Sequence, residues 1–205
     1  MILLDFNQIA LSNIFIQKLN EENMIRHMIL NSIRMYNKKY RDEYGQMVIC
    51  CDGMNTWRRD YFPQYKANRK KSRDDSGQDW NEIFRILNTV REEIKQYLPY
   101  KVIHLEGCEA DDIIGALTLE TQEFGKDEPI MIVSSDKDFI QLVSEKVIVY
   151  RPIEKEYYTK ETVVEKFNIS PENFILYKTL LGDNSDNIPG VKGLGVKGIF
   201  KKFPE

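Results

Sequence analysis

The chain has no apolar run approaching the ~20 residues that a bilayer-spanning helix requires, although 42% of its 205 residues are hydrophobic. Its N-terminus lacks the basic flank and small-residue cleavage site of a secretory signal, so a cytoplasmic protein is expected. Only three cysteines occur, Cys50, Cys51 and Cys108, with no C-x-x-C spacing. Cys50 and Cys51 fall on one expected strand and would face opposite ways, as reduced core thiols rather than zinc ligands or a disulfide. Histidine is scarcer: His27, on an expected helix, and His104, on an expected strand, form no defensible pattern with a Ser or Cys. A nucleophilic triad is therefore excluded. There is no internal repeat and no low-complexity tract. The length allows one substantial core with a small appendage.

What the chain does have is acid at the ends of apolar runs. Residues 1–4 end at Asp5, Gln46 to Cys51 end at Asp52, and Ile130 to Ser135 end at Asp136 and Asp138. The Glu109-Ala110-Asp111-Asp112 run and the Asp183/Asp186 pair add five more carboxylates. Gathering so many like charges is unfavourable without cations, and hard oxygen donors select Mg2+ or Mn2+. The competing reading is ordinary solvated acids, and Asp183 and Asp186 alone would be weak evidence, since turns favour Asp. Glu109 and Asp111 can reach one ion at the turn entering a helix, whose N-terminus favours their charge. Asp112 is open to three uses: a further ligand, a support behind the ligands, or a helix-start residue; the support fits best. Together the acids imply metal-dependent phosphoryl transfer. Setting aside these nine negative charges turns the formal net charge of −3 into +6, a remainder able to attract a polyanion.

The short apolar runs alternate with helical patterns. Met24, His27, Met28, Ile29 or Leu30, and Ile33 mark a helix over 21–40; Ile83, Phe84, Leu87, Val90, Ile94 and Leu98 mark another over 80–98, stopped by Pro99. Lys101 to Leu105 reads as a strand. Asp111 to about Phe124 reads as a helix with Gly125 at its end, and a short helix near 138–143 precedes a strand at 147–151. The pattern predicts an α/β fold: a largely parallel sheet covered on both faces, with the reactive site beyond the carboxyl ends of its strands. After Tyr158, helices are expected at Thr159–Phe167 and Pro171–Leu181, then a Gly-rich hairpin and a short basic helix.

Two segments carry positive charge. Between the second strand and the helix at 80, Trp57 to Arg73 interleaves Arg58, Arg59, Lys66, Arg69 and Lys70 with Trp57, Tyr61, Phe62 and Tyr65. The segment far exceeds the usual ~4–6 residue connection. Cations can grip phosphates there while rings stack on unpaired bases; the bland alternative is a flexible solvated loop. The second segment, Pro189 to Gly198, formally contains G-x-G-x-x-G, but a helix rather than a strand precedes it, so a dinucleotide site is rejected. Glycines between two helices instead let backbone N–H groups approach a phosphate, with Lys192 and Lys197 adding charge. A plain interhelical turn is the alternative.

These motifs resemble those of the 5′ nucleases, which include flap endonucleases, the 5′-to-3′ exonuclease domain of bacterial DNA polymerase I, and phage nucleases that remove RNA primers. The likeness rests on Glu109-Ala110-Asp111-Asp112-Ile113-Ile114-Gly115, Ser134-Ser135-Asp136-Lys137-Asp138-Phe139, Pro63 to Arg69, Leu181 to Val191 and the Gly-Lys hairpin; Trp57-Arg58-Arg59-Asp60 is similar to the phage members. The resemblance implies a PIN-like fold with a catalytic domain over 1–158, an arch over about 53–79, and a duplex-binding helical region over 159–205. It implies two Mg2+ or Mn2+ ions: one on Asp5, Asp52, Glu109, Asp111 and Asp136, the other on Asp136, Asp138, Asp183 and Asp186, with Asp112 beside them. Arg59 and Lys66 match positions at the scissile phosphate. Arg58, Tyr65, Arg69 and Lys70 match the arch, and Gly190, Lys192, Gly193, Gly195 and Lys197 the duplex grip, with a K+ ion at the hairpin. Substrates would be DNA with a 5′ flap or single-stranded 5′ end, or an RNA–DNA hybrid. A monomer working with single-strand-binding or clamp proteins, in the host cytoplasm if phage-encoded, completes the expectation. Family members continue past the hairpin, so this chain is expected to be truncated, split or minimal, and a non-catalytic branched-DNA-binding accessory is the alternative to a nuclease. A small-molecule metallophosphatase would share the acids but have no use for the arch or the hairpin.

Overall fold

The computed structural model describes residues 1–123 and 127–203. Five parallel strands form the sheet in the order β3-β2-β1-β4-β5: β1 (Ile2–Asp5), β2 (Met47–Cys51), β3 (Lys101–His104), β4 (Ile130–Val133) and β5 (Val147–Arg151). A short strand that the sequence did not betray, β6 (Glu156–Tyr158), adds an antiparallel edge against β5. Every residue of β1 and of β4 is buried, as continuous apolar runs in a two-sided sheet should be.

Asp5 ends β1 and also starts α1 (Phe6–Ile16), its carboxylate accepting from Gln8 N at 3.2 Å. With no connecting loop, this helix leaves no punctuation in the sequence and was not expected. α2 (Glu22–Tyr44) buries Ile25, Ile29, Ile33, Tyr36, Tyr40 and Tyr44. Ile29 and Ile33 of the expected face point inward, but Met24 and His27 are exposed and Ile25 takes their place; tyrosine rings carry the stripe onward, meeting Tyr150 and Tyr157 of the sheet edge-on or tilted. α3 (Arg58–Tyr61) and α4 (Asn68–Asp74) lie within the basic segment that reads as a loop. α5 (Trp80–Tyr97) is capped by Asp79, which accepts from Glu82 N, and buries Ile83, Leu87, Val90 and Ile94 of the expected face plus Ile86, whereas Phe84 is half-buried and Leu98, past the helix end, is exposed. α6 (Ala110–Glu123) matches its expected helix; the proposed end at Phe124 and Gly125 lies outside the described residues. The expected short helix near 138–143 is a 3-10 helix at Lys137–Leu142.

α7 (Lys160–Phe167) begins with a capping box between Thr159 and Thr162. The expected Pro171–Leu181 helix divides into a 3-10 turn (Pro171–Asn173) and α8 (Phe174–Leu181). The two-residue strands β7 (Gly182–Asp183) and β8 (Ile188–Pro189) then pair, followed by α9 (Val196–Lys202). Gly182 and Gly190 press together so closely that a Cβ on Gly182 would stand 2.3 Å from Gly190 N.

The core divides across the sheet. Cys51 packs with α1, α2 and α5 on one face, whereas Cys50 packs with α6, α7 and α8 on the other. Val163 and Phe174 join the second cluster, so residues 159–181 share a core with the sheet. Among the described residues no helix is long and apolar enough to cross a membrane.

Candidate metal centre and nucleic-acid interface

Strand order reverses between β1 and β4, and such switch points open a crevice at the carboxyl ends of the strands. The acids stand there. Ser134, just past β4, donates from Oγ to Asp5 Oδ2 at 2.8 Å, and its Oγ accepts from Asp136 N at 3.1 Å. Asp52, just past β2, accepts from Ala110 N at 2.8 Å, which aims the N-terminus of α6 at the same crevice. Asp136 Oδ1 accepts from Asp138 N at 2.8 Å.

Burial and mutual repulsion leave these carboxylates electrostatically strained. Asp5, 6% exposed, is pushed up to about 7 by burial first and then by the charges of Asp52 and Asp136. Asp111 is pushed up to about 8, again by burial and then by Asp5 and Asp136. Asp136 is raised by burial and by Asp138, against the relief of its backbone hydrogen bond.

Protein cations hold the periphery. Glu109 accepts from Lys66 Nζ at 2.9 Å and from the Tyr65 hydroxyl at 2.8 Å, and Arg58 approaches it at 3.2 Å. Lys66 reaches it from a left-handed backbone with φ +54, a conformation that disfavours a lysine. Arg69 pairs with Asp186 at 2.9 Å, and Lys66 N donates to the Asp186 carbonyl at 3.1 Å. Asn68 and Gln64 bond to Asn187. The segment 64–69 is thus a strap laid over the acids and fastened to the turn that contains Asp183 and Asp186.

Lys178, which nothing in the sequence singled out, stands between Asp138, 2.8 Å away, and Asp183. Burial opposes the ionisation of Asp183, but Lys178 and Ser185 hold its carboxyl down to about 2. Asp138 Oδ1 is buried against the Lys178 ammonium. Among the described residues no three His, Cys, Asp or Glu side chains close around a common point. The donor set nevertheless fits hard divalent ions: oxygen ligands whose like charge raises Asp5, Asp111 and Asp136, with hard donors of the kind such ions select.

Of the three uses open to Asp112, the geometry suits the favoured support and helix start rather than a ligand: its Oδ2 accepts from Glu109 N and Arg58 at 2.8 Å and from Trp57 at 3.2 Å, so it starts α6 and braces the turn. Gly190 serves close chain packing, because a Cβ there would lie 2.3 Å from Leu181 O. By contrast, Gly193 and Gly195 have open space around them, and Lys192 and Lys197 are exposed. Arg59 and Lys70 are exposed, without ion pairs among the described residues. Two clefts meet over Asp138 and Asp186. One, about 510 Å3, has Trp57, Tyr61 and Leu119 in its walls, and the other, about 440 Å3, has Arg69, Arg151 and Lys178.

The family model for the 5'-3' exonuclease, N-terminal resolvase-like domain, matches residues 1–168. The chain is 37% identical over 198 residues to ribonuclease H of Enterobacteria phage T4, covering 93% of this chain and 62% of that protein. It is 35% identical over 170 residues to the 5'-3' exonuclease of Aquifex aeolicus, covering 81% of this chain and 55% of that one. It therefore spans less than two thirds of either relative. The T5 5'-exonuclease structure with bound zinc superimposes with a TM-score of 0.82 at 22% identity, covering 99% of this chain and 75% of that chain. The T5 D15 flap endonuclease in complex with DNA and metal ions gives 0.81 at 23% identity, covering 98% of this chain and 74% of that one. Strand order, acidic switch point and a match running from β1 through α7 lead to one assignment: this chain belongs to the 5'-3' exonuclease family, through its N-terminal resolvase-like domain.

Proposed function

We propose that the chain is a divalent-metal-dependent 5′ nuclease that hydrolyses phosphodiesters near the 5′ end of flap, nicked-duplex or RNA-primed substrates. The observation that carries the reading is the crowding of mutually repelling carboxylates at the switch point beneath a basic strap. Asp5, Asp52, Glu109, Asp111 and Asp136 would hold one Mg2+ or Mn2+ ion, and Asp136, Asp138, Asp183 and Asp186 a second. Bound there, such ions supply an acidified water and neutralise phosphate charge.

The chain's own cations have separate tasks. Lys66 reaches Glu109 from the strap, close enough to exchange that carboxylate for a phosphate oxygen and stabilise its charge. Arg59 and Lys70 are open to solvent and can meet the backbone of an entering strand, while Tyr61 and Trp57 offer rings to unpaired bases. Gly193, Gly195, Lys192 and Lys197 can hold a duplex by its phosphates without reading sequence. Functionally, 1–158 is then the catalytic part, completed by the Asp183/Asp186 turn, and the rest of the region from 159 onward is the duplex grip. A K+ ion at the hairpin, monomeric action and replication partners rest on the family resemblance.

Cleavage of a 5′-tailed duplex and of an RNA-primed duplex, with and without Mg2+, tests the proposal. Asp136→Asn and Asp138→Asn are each expected to abolish turnover while circular dichroism stays native. Tight binding with no turnover in any divalent ion would instead leave a branched-DNA-binding accessory.

A further inference from the structure

Arg151 ends β5 and is 5% exposed. A buried guanidinium must have its donors satisfied, and the partners of this one lie behind the metal centre. Nε and Nη2 both donate to the Ser135 carbonyl, at 3.2 and 2.7 Å. Nη2 also pairs with Glu154 at 2.7 Å, while the guanidinium lies 5.6 Å from the centroid of the Tyr158 ring. From the turn after β5, Ile153 N donates to Ser135 Oγ at 3.1 Å.

Ser135 separates Ser134, which bonds Asp5, from Asp136, which bonds the backbone of Asp138. A peptide held twice by a planar fork cannot rotate without losing both bonds. Two carboxylates of the switch point, Asp5 and Asp136, thus take part of their orientation from a turn whose middle carbonyl is held by the neighbouring strand.

We propose that Arg151 is a positioning residue for the metal centre: through the Ser135 carbonyl it sets the direction of the Asp136 carboxylate and so the affinity for divalent ions. The inference rests on the metal-binding reading above. Supports of this kind typically change metal affinity by about 10–100-fold when removed.

The test is Mn2+ titration followed by electron paramagnetic resonance on wild type, Asp136→Asn, Arg151→Met and Arg151→Lys, with the melting temperature of each. Expected are weaker binding for Asp136→Asn, a roughly tenfold or greater loss for Arg151→Met, and partial recovery in Arg151→Lys, whose ammonium makes only one of the two bonds. Wild-type Mn2+ affinity in Arg151→Met, whatever its melting temperature, would overturn the proposal and show a merely structural arginine. Should Arg151→Met fail to fold, Arg151→Lys decides: a loss of a fewfold supports the proposal, and unchanged affinity overturns it. No Mn2+ binding by wild type would overturn the metal reading, and this inference with it; failure of the Arg151 variants alone leaves that reading standing.

Discussion

A guanidinium already held between two carboxylates has little left to offer a phosphate, and Arg58 is in that position. It pairs with Asp112 and Glu109 and lies against the Trp57 ring. Removing it takes one charged partner from each of two partly buried acids; Glu109 keeps Lys66 and Tyr65, and Asp112 keeps Glu109 N and Trp57. Arg58→Ala is therefore expected to cost about 1–3 kcal/mol of stability, measured by urea denaturation. Arg59, one residue on, is exposed with no such partner among the described residues. Arg59→Ala should stay within ~0.5 kcal/mol of wild type, while cleavage of a 5′-tailed duplex slows about a hundredfold, the usual effect of deleting a donor to transition-state charge. Equal activity of Arg59→Ala and wild type would remove Arg59 from the reaction. The sequence made the acids legible because each ends an apolar run or sits in a polar turn. The resemblance sets Arg59 at the scissile phosphate and Arg58 in the arch, but the residues alone do not show that Arg58 is held by Asp112 and Glu109, because which of two adjacent side chains meets the acids depends on how α3 is seated.

The strap shows what sequence patterns miss between elements. Residues 57–73 displayed their charge and rings plainly, but not that 64–69 would fasten to 183–187, more than a hundred positions away. Nor did anything mark α1, since Asp5 is at once strand end and helix cap. The face of α2 is legible at Ile29 and Ile33 but not at its ends, where Ile25 rather than Met24 turns inward and the tyrosines Tyr36, Tyr40 and Tyr44, amphipathic rather than plainly apolar, are all buried. The strap fastening gives a specific expectation. Asn187 has φ +62 and bonds both Asn68 and Gln64; Asn187→Gly keeps the backbone permissible and deletes only the side-chain bonds. Amide hydrogen exchange at Lys66, whose N–H is bonded to Asp186 O, is expected to accelerate about tenfold, the equivalent of ~1.4 kcal/mol, with exchange in β1 and β4 unchanged. Unaltered exchange at Lys66 would mean that the ion pairs alone hold the strap.

A sheet whose order reverses beside its central strand needs only short loops to bring distant acids together, and that convergence leaves a thermodynamic mark on the entire chain. With Asp5 pushed up to about 7 and Asp111 to about 8 from an ordinary 3.8, the folded form holds protons that the unfolded form releases. Each unit of such a difference corresponds to ~1.4 kcal/mol. Their contribution to stability is complete below about pH 4 and is lost as the pH climbs through 7 and 8, since stability falls with pH wherever the native state binds more protons. Asp183, held down to about 2, acts oppositely and is lost only as the pH drops through that value. Without metal, the melting temperature is therefore expected to fall between pH 5 and pH 8.5. Divalent ions bind the ionised form, so Mg2+ at a hundred times its dissociation constant should add about 2.7 kcal/mol and flatten or reverse the slope at the alkaline end. Scanning calorimetry across this range, with EDTA and with Mg2+, separates the outcomes. A metal-free melting temperature that rises to pH 8.5, indifferent to Mg2+, would mean that these carboxylates do not crowd one another and that no ion belongs between them.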